Sequence, residues 1–140
     1  MNTNASILVV DDDEAALKSH CQVLDTANFA VQVARCRDEA LEMLAHGAFD
    51  TVLLEYVMSG SAGLAVLCAI KDLYPDTEVV VISRTPSVNH AKEAIRLGAS
   101  DYLAKPVPPD QLIGATVRAV RQKKWALRRI FARDPVWFTH

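Results

Sequence analysis

The chain carries little of what would place it in several functional classes. Its 140 residues include only three cysteines, Cys21, Cys36 and Cys68. They are odd in number and scattered, without the paired spacing of a zinc site or a disulfide framework. Reduced, semi-buried thiols of a cytoplasmic protein are the expectation. No apolar run approaches the ~20 residues of a membrane span, and no basic flank followed by a long apolar core marks a secretory signal. There are no internal repeats and no low-complexity stretch. The loop after the first apolar run lacks the Ser, Thr and Gly density that cradles a flavin phosphate. His20, His46, His90 and His140 share no spacing and suggest no metal or catalytic set. A net charge of −2 gives no global attraction for nucleic acid or membrane.

What is present is a packed, alternating chain. A 51% hydrophobic content favours a globule over disorder, and this length suits one domain that buries about two-thirds of its unfolded surface. Continuous apolar runs at roughly 5–10, 29–34, 50–55, 78–82 and 101–104 read as strands covered on both faces, as in a parallel sheet. Between them lie helical periods. Leu17, Cys21 and Leu24 follow a cap at Asp12 or Asp13, and Asn28 is a stop. Ala40, Leu41, Leu44 and Ala45 end near Gly47, and Leu64, Leu67, Cys68 and Ile70 end before Pro75. Val88, Ala91, Ile95 and Leu97 precede Gly98. A last helix starts near Pro109 and runs about 24 residues, long for a globular protein, until Asp134-Pro135. Five strand–helix alternations predict an α/β fold: one doubly wound, five-stranded parallel sheet with right-handed crossovers.

The strands end in chemistry. Ile7-Leu8-Val9-Val10 runs into Asp11-Asp12-Asp13, and Thr51-Val52-Leu53-Leu54 into Glu55. Val79-Val80-Val81-Ile82 ends at Ser83, and Tyr102-Leu103-Ala104 ends at Lys105-Pro106. Open α/β sheets keep their sites at these carboxyl ends. Two adjacent carboxylates leaving a buried strand repel one another, and a hard divalent cation held through oxygens removes that cost. The bland alternative is that Asp12 and Asp13 only cap a helix, while Ser83 and Tyr102 are ordinary loop and packing residues.

Taken together these residues resemble the receiver domain of bacterial two-component response regulators, over roughly residues 5–122. The run Gly98-Ala99-Ser100-Asp101-Tyr102-Leu103-Ala104-Lys105-Pro106 is highly specific for that family. The resemblance implies a flavodoxin-like strand order, a cis Lys105–Pro106 bond, and a magnesium site built from Asp11, Asp12 and the acceptor position. It places Ser83 and Lys105 against phosphoryl oxygens, and Ser83 and Tyr102 at the switch positions. It implies no enzyme, but a signalling module that meets a sensor histidine kinase or a downstream signalling protein. The expected function is an atypical single-domain response regulator in a phosphorelay, acting through protein–protein contact.

The departures centre on the acceptor. In receivers an aspartate takes the phosphoryl group; here Glu55 stands at the matching position, one methylene longer. Met58 is followed by Ser59 where the family favours proline, Ala62 precedes Gly63 where it favours Asp-Gly, and Arg84 replaces a small residue after Ser83. Several relaxed positions in one region favour natural divergence over a single engineered exchange. One carbon–carbon bond, about 1.5 Å, displaces the nucleophilic oxygen, and a misplacement near 1 Å costs about a hundredfold. Glu55 is therefore expected to reach toward Ser83 and Lys105 and to make the module independent of phosphorylation. A rival reading from the enzyme class is a haloacid-dehalogenase-like phosphatase with Asp11 as nucleophile and Asp13 as acid. It lacks the expected Thr (Ala15 stands there) and has no cap insertion.

The carboxyl terminus divides residues 1–122, the receiver, from residues 123–140, a basic helical extension with an aromatic tail at Trp137 and Phe138. From Arg118 to Arg133 there are seven basic residues and no acid. Ile113, Val117, Val120, Lys124, Leu127 and Phe131 trace a heptad-like seam interrupted at Lys124. A solvated basic extension, a dimerising or linker helix, and contact with nucleic-acid phosphates are the readings in descending order. A homodimer is expected either through this helix or through the face of the fourth helix, fifth strand and last helix. No helix-turn-helix, ATPase or cyclase segment is expected within these residues.

Overall fold

The computed structural model describes residues 4–58 and 61–133, with side chains described through residue 123 except at 61–63. In chain order the elements are β1 (Ser6–Val10), α1 (Glu14–Asp25), β2 (Ala30–Ala34), α2 (Arg37–His46), β3 (Thr51–Glu55), β4 (Val57–Met58), β5 (Ser61–Ala62), α3 (Gly63–Leu73), β6 (Glu78–Ser83), α4 (Val88–Arg96), β7 (Asp101–Ala104) and α5 (Pro109–Arg133). The five long strands form one parallel sheet in the order β2-β1-β3-β6-β7. The doubly wound α/β fold expected from the alternation is thus present, with the order the resemblance implied. The chain reverses direction across the sheet between β1 and β3, and at such a switch point a crevice opens beyond the strand ends.

Side chains alternate across each strand, and the sheet sorts them into two cores. Leu8, Val10, Val52, Leu54, Val79 and Val81 pack beneath α2, α3 and α4, against Ala40, Leu44, Val66, Leu67, Ile70 and Ala94. Ile7, Val9, Leu53, Val80, Ile82 and Leu103 pack beneath α1 and α5, against Leu17, Leu24, Leu112, Ala115 and Ala119. The central strand β3 is buried along its whole length. The edge strand β2 alternates between exposed and partly buried positions before ending at buried Ala34.

The punctuation follows the local chemistry. Asp13 caps α1 by accepting a hydrogen bond from the Ala15 N–H at 3.1 Å. Asn28 takes φ 65° and Gly98 takes φ +110°, the left-handed values that let the chain turn sharply after a helix. Helix α3 stops at Leu73 ahead of Pro75, and Lys71 Nζ donates to the Pro75 and Thr77 carbonyls, which closes the turn into β6. The antiparallel pair β4–β5, two residues on each side, is a feature that no apolar period announces. Lys123, placed at the start of the extension by sequence, reaches back to the Phe49 carbonyl at 3.1 Å and to Asp50 at 3.7 Å. Helix α5 is continuous to Arg133. The Asp134-Pro135 stop and the aromatic tail at Trp137 and Phe138 lie outside the described residues, as do the seam side chains Lys124, Leu127 and Phe131.

Candidate functional site

The period of two that sorts the cores also assembles the site. Asp11 continues the face of Ile7 and Val9, Glu55 that of Leu53, Arg84 that of Val80 and Ile82, and Lys105 that of Leu103. All four therefore reach the strand ends on the side of α1 and α5. Glu55 is 1% exposed and Asp11 2% exposed, so each carboxylate is held away from bulk water. A buried charge persists only where it is paired.

Lys105 supplies the pairing. Its Nζ donates to Asp11 Oδ2 at 2.8 Å and stands 2.6 Å from Glu55 Oε1. The Asp11 contact is a directed hydrogen bond. The Glu55 contact is shorter but off line, and among the described residues Oε1 makes no aligned hydrogen bond, so we regard it as an ion contact. The other carboxylate oxygen, Oε2, accepts from the Val57 N–H at 3.2 Å and lies 3.9 Å from Arg84 Nε. Burial alone would lower the Lys105 pKa. The Asp11 hydrogen bond, the close Glu55 carboxylate and the negative charge of both outweigh it, and the net shift is upward. The ammonium is thereby fixed as a cation.

Arg84 is the second cation. Its guanidinium donates to the Val57 carbonyl at 3.0 Å and to Asp12 Oδ1 at 3.4 Å. Three carboxylates (Asp11, Asp12, Glu55) thus face two cationic heads. Asp13 turns away into its capping role, and its N–H donates to Asp11 Oδ1 at 3.0 Å.

The remaining expected residues separate. Ser83 is fully buried, and its Oγ accepts from the Thr85 N–H at 3.0 Å. It holds the turn that launches Arg84; the Glu55 contacts go to Lys105, Arg84 and Val57. Tyr102 packs on the opposite core, edge-on to Tyr56 with ring centroids 6.4 Å apart. Tyr56 in turn stacks on His90 at 4.4 Å. Among the described residues the buried Tyr102 hydroxyl has no hydrogen-bond partner. The Lys105–Pro106 bond is cis.

Sequence reasoning noted Arg84 only as a departure and gave His20 no role. His20 is 7% exposed on α1, and its Nδ1 has no partner among the described residues. Burial and then the positive charge of Lys105 lower its pKa. Beside it an open cleft of about 440 Å³, lined by Asp13, His20, Arg84, Lys105 and Pro106 among others, leads from solvent to the two cations.

Comparison with known proteins agrees with this geometry. The response regulator receiver domain family matches residues 7–117, and the chain belongs to that family. It is 31% identical to the acid tolerance regulatory protein ActR of Rhizobium meliloti, over 96% of this chain and 70% of that protein. It is 32% identical to the alginate biosynthesis transcriptional regulatory protein AlgB of Pseudomonas putida, over 87% of this chain; the match spans only 27% of that longer protein. The crystal structure of the receiver domain of NtrX from Brucella abortus superposes with a TM-score of 0.79 at 35% identity, covering 82% of this chain and 98% of that one. The chain is a response regulator receiver of two-component signalling, a class of signalling modules rather than enzymes. The phosphatase alternative with Asp11 as nucleophile gains no support from these matches.

Receiver domains typically hold Mg²⁺ at the acceptor site. The residues expected to do so here are Asp11, Asp12 and Glu55. Among the described residues no three His, Cys, Asp or Glu side chains converge as a metal site. Asp11 and Glu55 share the Lys105 ammonium, and Arg84 contacts both Asp12 and Glu55. As arranged, the set fits two organic cations rather than a divalent ion.

Proposed function

We propose that Glu55 occupies the acceptor position of this receiver and that the chain signals without phosphorylation. The observation that supports this reading is the fully buried Glu55 carboxylate, 2.6 Å from Lys105 Nζ. The carboxylate of a longer side chain meets the lysine that would otherwise contact phosphoryl oxygens. Such a carboxylate carries one negative charge, where a phosphoryl group carries about −1.5 to −2 with three acceptor oxygens. It sets one standing arrangement of Lys105 and Asp11 and leaves little for a phosphodonor to add.

Signalling then runs through protein contact. The face of α4, β7 and α5 carries exposed apolar side chains, Val88 at 71% and Ile95 at 50%. It is the surface we assign to a sensor kinase, a downstream signalling protein or a second copy. Among the described residues no helix is long and apolar enough to cross a membrane. The matched segment spans 70% of ActR and 27% of AlgB, and no activity of theirs is carried over.

Two-dimensional amide NMR tests the reading. Adding Mg²⁺ and a small phosphodonor is expected to leave the spectrum unchanged. Glu55→Gln is expected to move resonances of Lys105, Tyr102 and α4. A phosphodonor-induced shift across α4 and β7 that is absent from Glu55→Gln would show a working phosphoswitch and sink the proposal.

A further inference from the structure

Arg84 is about half exposed, yet its guanidinium turns inward over the strand ends. Its guanidinium is aimed at three oxygens from different parts of the strand ends: Asp12 Oδ1 at 3.4 Å, the Val57 carbonyl at 3.0 Å and Glu55 Oε2 at 3.9 Å. The geometry around it is built. The Val57 N–H donates to Glu55 Oε2 at 3.2 Å, which folds the loop so that carboxylate and carbonyl face the same side. The Ser83 hydroxyl accepts from the Thr85 N–H at 3.0 Å, which fixes the turn from which Arg84 leaves β6. Strand β6 lies beside β3 with Glu55 in register with Ile82, two residues before Arg84.

Two carboxylates and a backbone carbonyl form an all-oxygen donor set, the chemistry that hard divalent cations select. Mg²⁺ would need those oxygens at about 2.0–2.1 Å, in the space the guanidinium enters. The two cations therefore compete for one place. Arg84 is covalently tethered, always protonated, and offers a planar fork of donors to several acceptors at once. An untethered ion must displace it and carry the cost of partial dehydration. Lys105 cannot take over this role, because its ammonium is engaged by Asp11 and Glu55.

We infer that Arg84 is a built-in occupant of a cation site formed by Asp12, Glu55 and the Val57 carbonyl, so that the native chain is insensitive to Mg²⁺ and loss of the guanidinium creates a divalent-cation site. The inference goes beyond phosphorylation independence and rests on that reading only in sharing Glu55. Its test contains no phosphodonor, so the two stand or fall separately.

The experiment is isothermal titration of the full chain with MgCl₂ alone, paired with thermal unfolding at the same Mg²⁺ concentrations. Native protein, Arg84→Ala and Arg84→Ala/Asp12→Asn are compared. The expected result is no saturable Mg²⁺ binding and no Tm shift for the native chain. Arg84→Ala should bind one Mg²⁺ at least about tenfold more tightly and gain Tm in step with occupancy. The double variant should lose both gains. Saturable binding to the native chain with the affinity of Arg84→Ala overturns the inference, and the native titration alone reveals it even if the variant folds poorly. Failure of a folded Arg84→Ala to bind Mg²⁺ also overturns it, because the oxygens then form no cation site.

Discussion

Replacing Lys105 by methionine probes the centre of the site with a known scale. Methionine keeps the length and most of the apolar stem of the lysine and removes only the charge. Two buried carboxylates, with side chains 0% exposed at Glu55 and 3% at Asp11, would then lose their shared ammonium. Breaking a buried ion pair from one side costs about 3–5 kcal/mol, because the partner's charge is left uncompensated. Arg84 remains 3.9 Å from Glu55 and softens the loss, so the lower end, about 3 kcal/mol, is expected. With a urea slope of about 2 kcal/mol/M, the unfolding midpoint near pH 7 should fall by roughly 1.5 M. Adding Glu55→Gln to Lys105→Met should restore part of the loss, with non-additivity as the signature of direct coupling. A midpoint change corresponding to less than about 1 kcal/mol would be the value of a surface pair. It would refute the claim that Lys105 neutralises a buried acidic cluster.

Two further outcomes follow from the perturbed bases. The Lys105 pKa is raised above its ordinary 10.5 by Asp11 and Glu55 against the pull of burial, so its contribution is complete below that value and fades as pH rises through the folded-state pKa. Urea unfolding above pH 10.5 should show an alkaline decline in the native protein that Lys105→Met lacks. His20 is pushed below its ordinary 6.5, first by burial and then by Lys105. The unfolded chain binds that proton more readily, so native stability should fall as pH drops below 6.5, and His20→Leu should flatten that acid limb; an unchanged limb would show that His20 does not titrate between the states. At Gly98, where φ is +110° and an added Cβ would meet the Lys71 side chain at 3.3 Å, Gly98→Ala should destabilise by about 1 kcal/mol or more, measured as a Tm decrease.

Most of the fold was legible because hydrophobic period and punctuation carry it. The continuous runs of β1, β3 and β6 are buried on both faces, and Asn28, Gly98 and Pro75 stand where their backbone preferences end elements. Strand parity also carried Asp11, Glu55 and Lys105 to one side, which explains why their pairing was foreseeable from strand ends alone. The role of Arg84 was not foreseeable in that way. A long side chain reaches a partner many residues away in sequence, and only the placement of β6 beside β3 decides where its head group falls. Ser83 shows the converse. Its position at a strand end suggested a group facing the site, while its hydroxyl serves the following turn. The two-residue pair β4–β5 is too short for any periodicity to reveal.

The central claim is that the Glu55 carboxylate, held by Lys105, replaces phosphorylation as the setting of this receiver. Intact-mass analysis after incubation with Mg²⁺ and a small phosphodonor tests it most directly, with the native chain run beside Glu55→Asp and Glu55→Asp/Arg84→Ala. The account predicts no mass gain for the native chain and a gain of one phosphoryl group once aspartate is restored and the guanidinium removed. A phosphoryl group on the native chain, lost in Glu55→Gln, would contradict it.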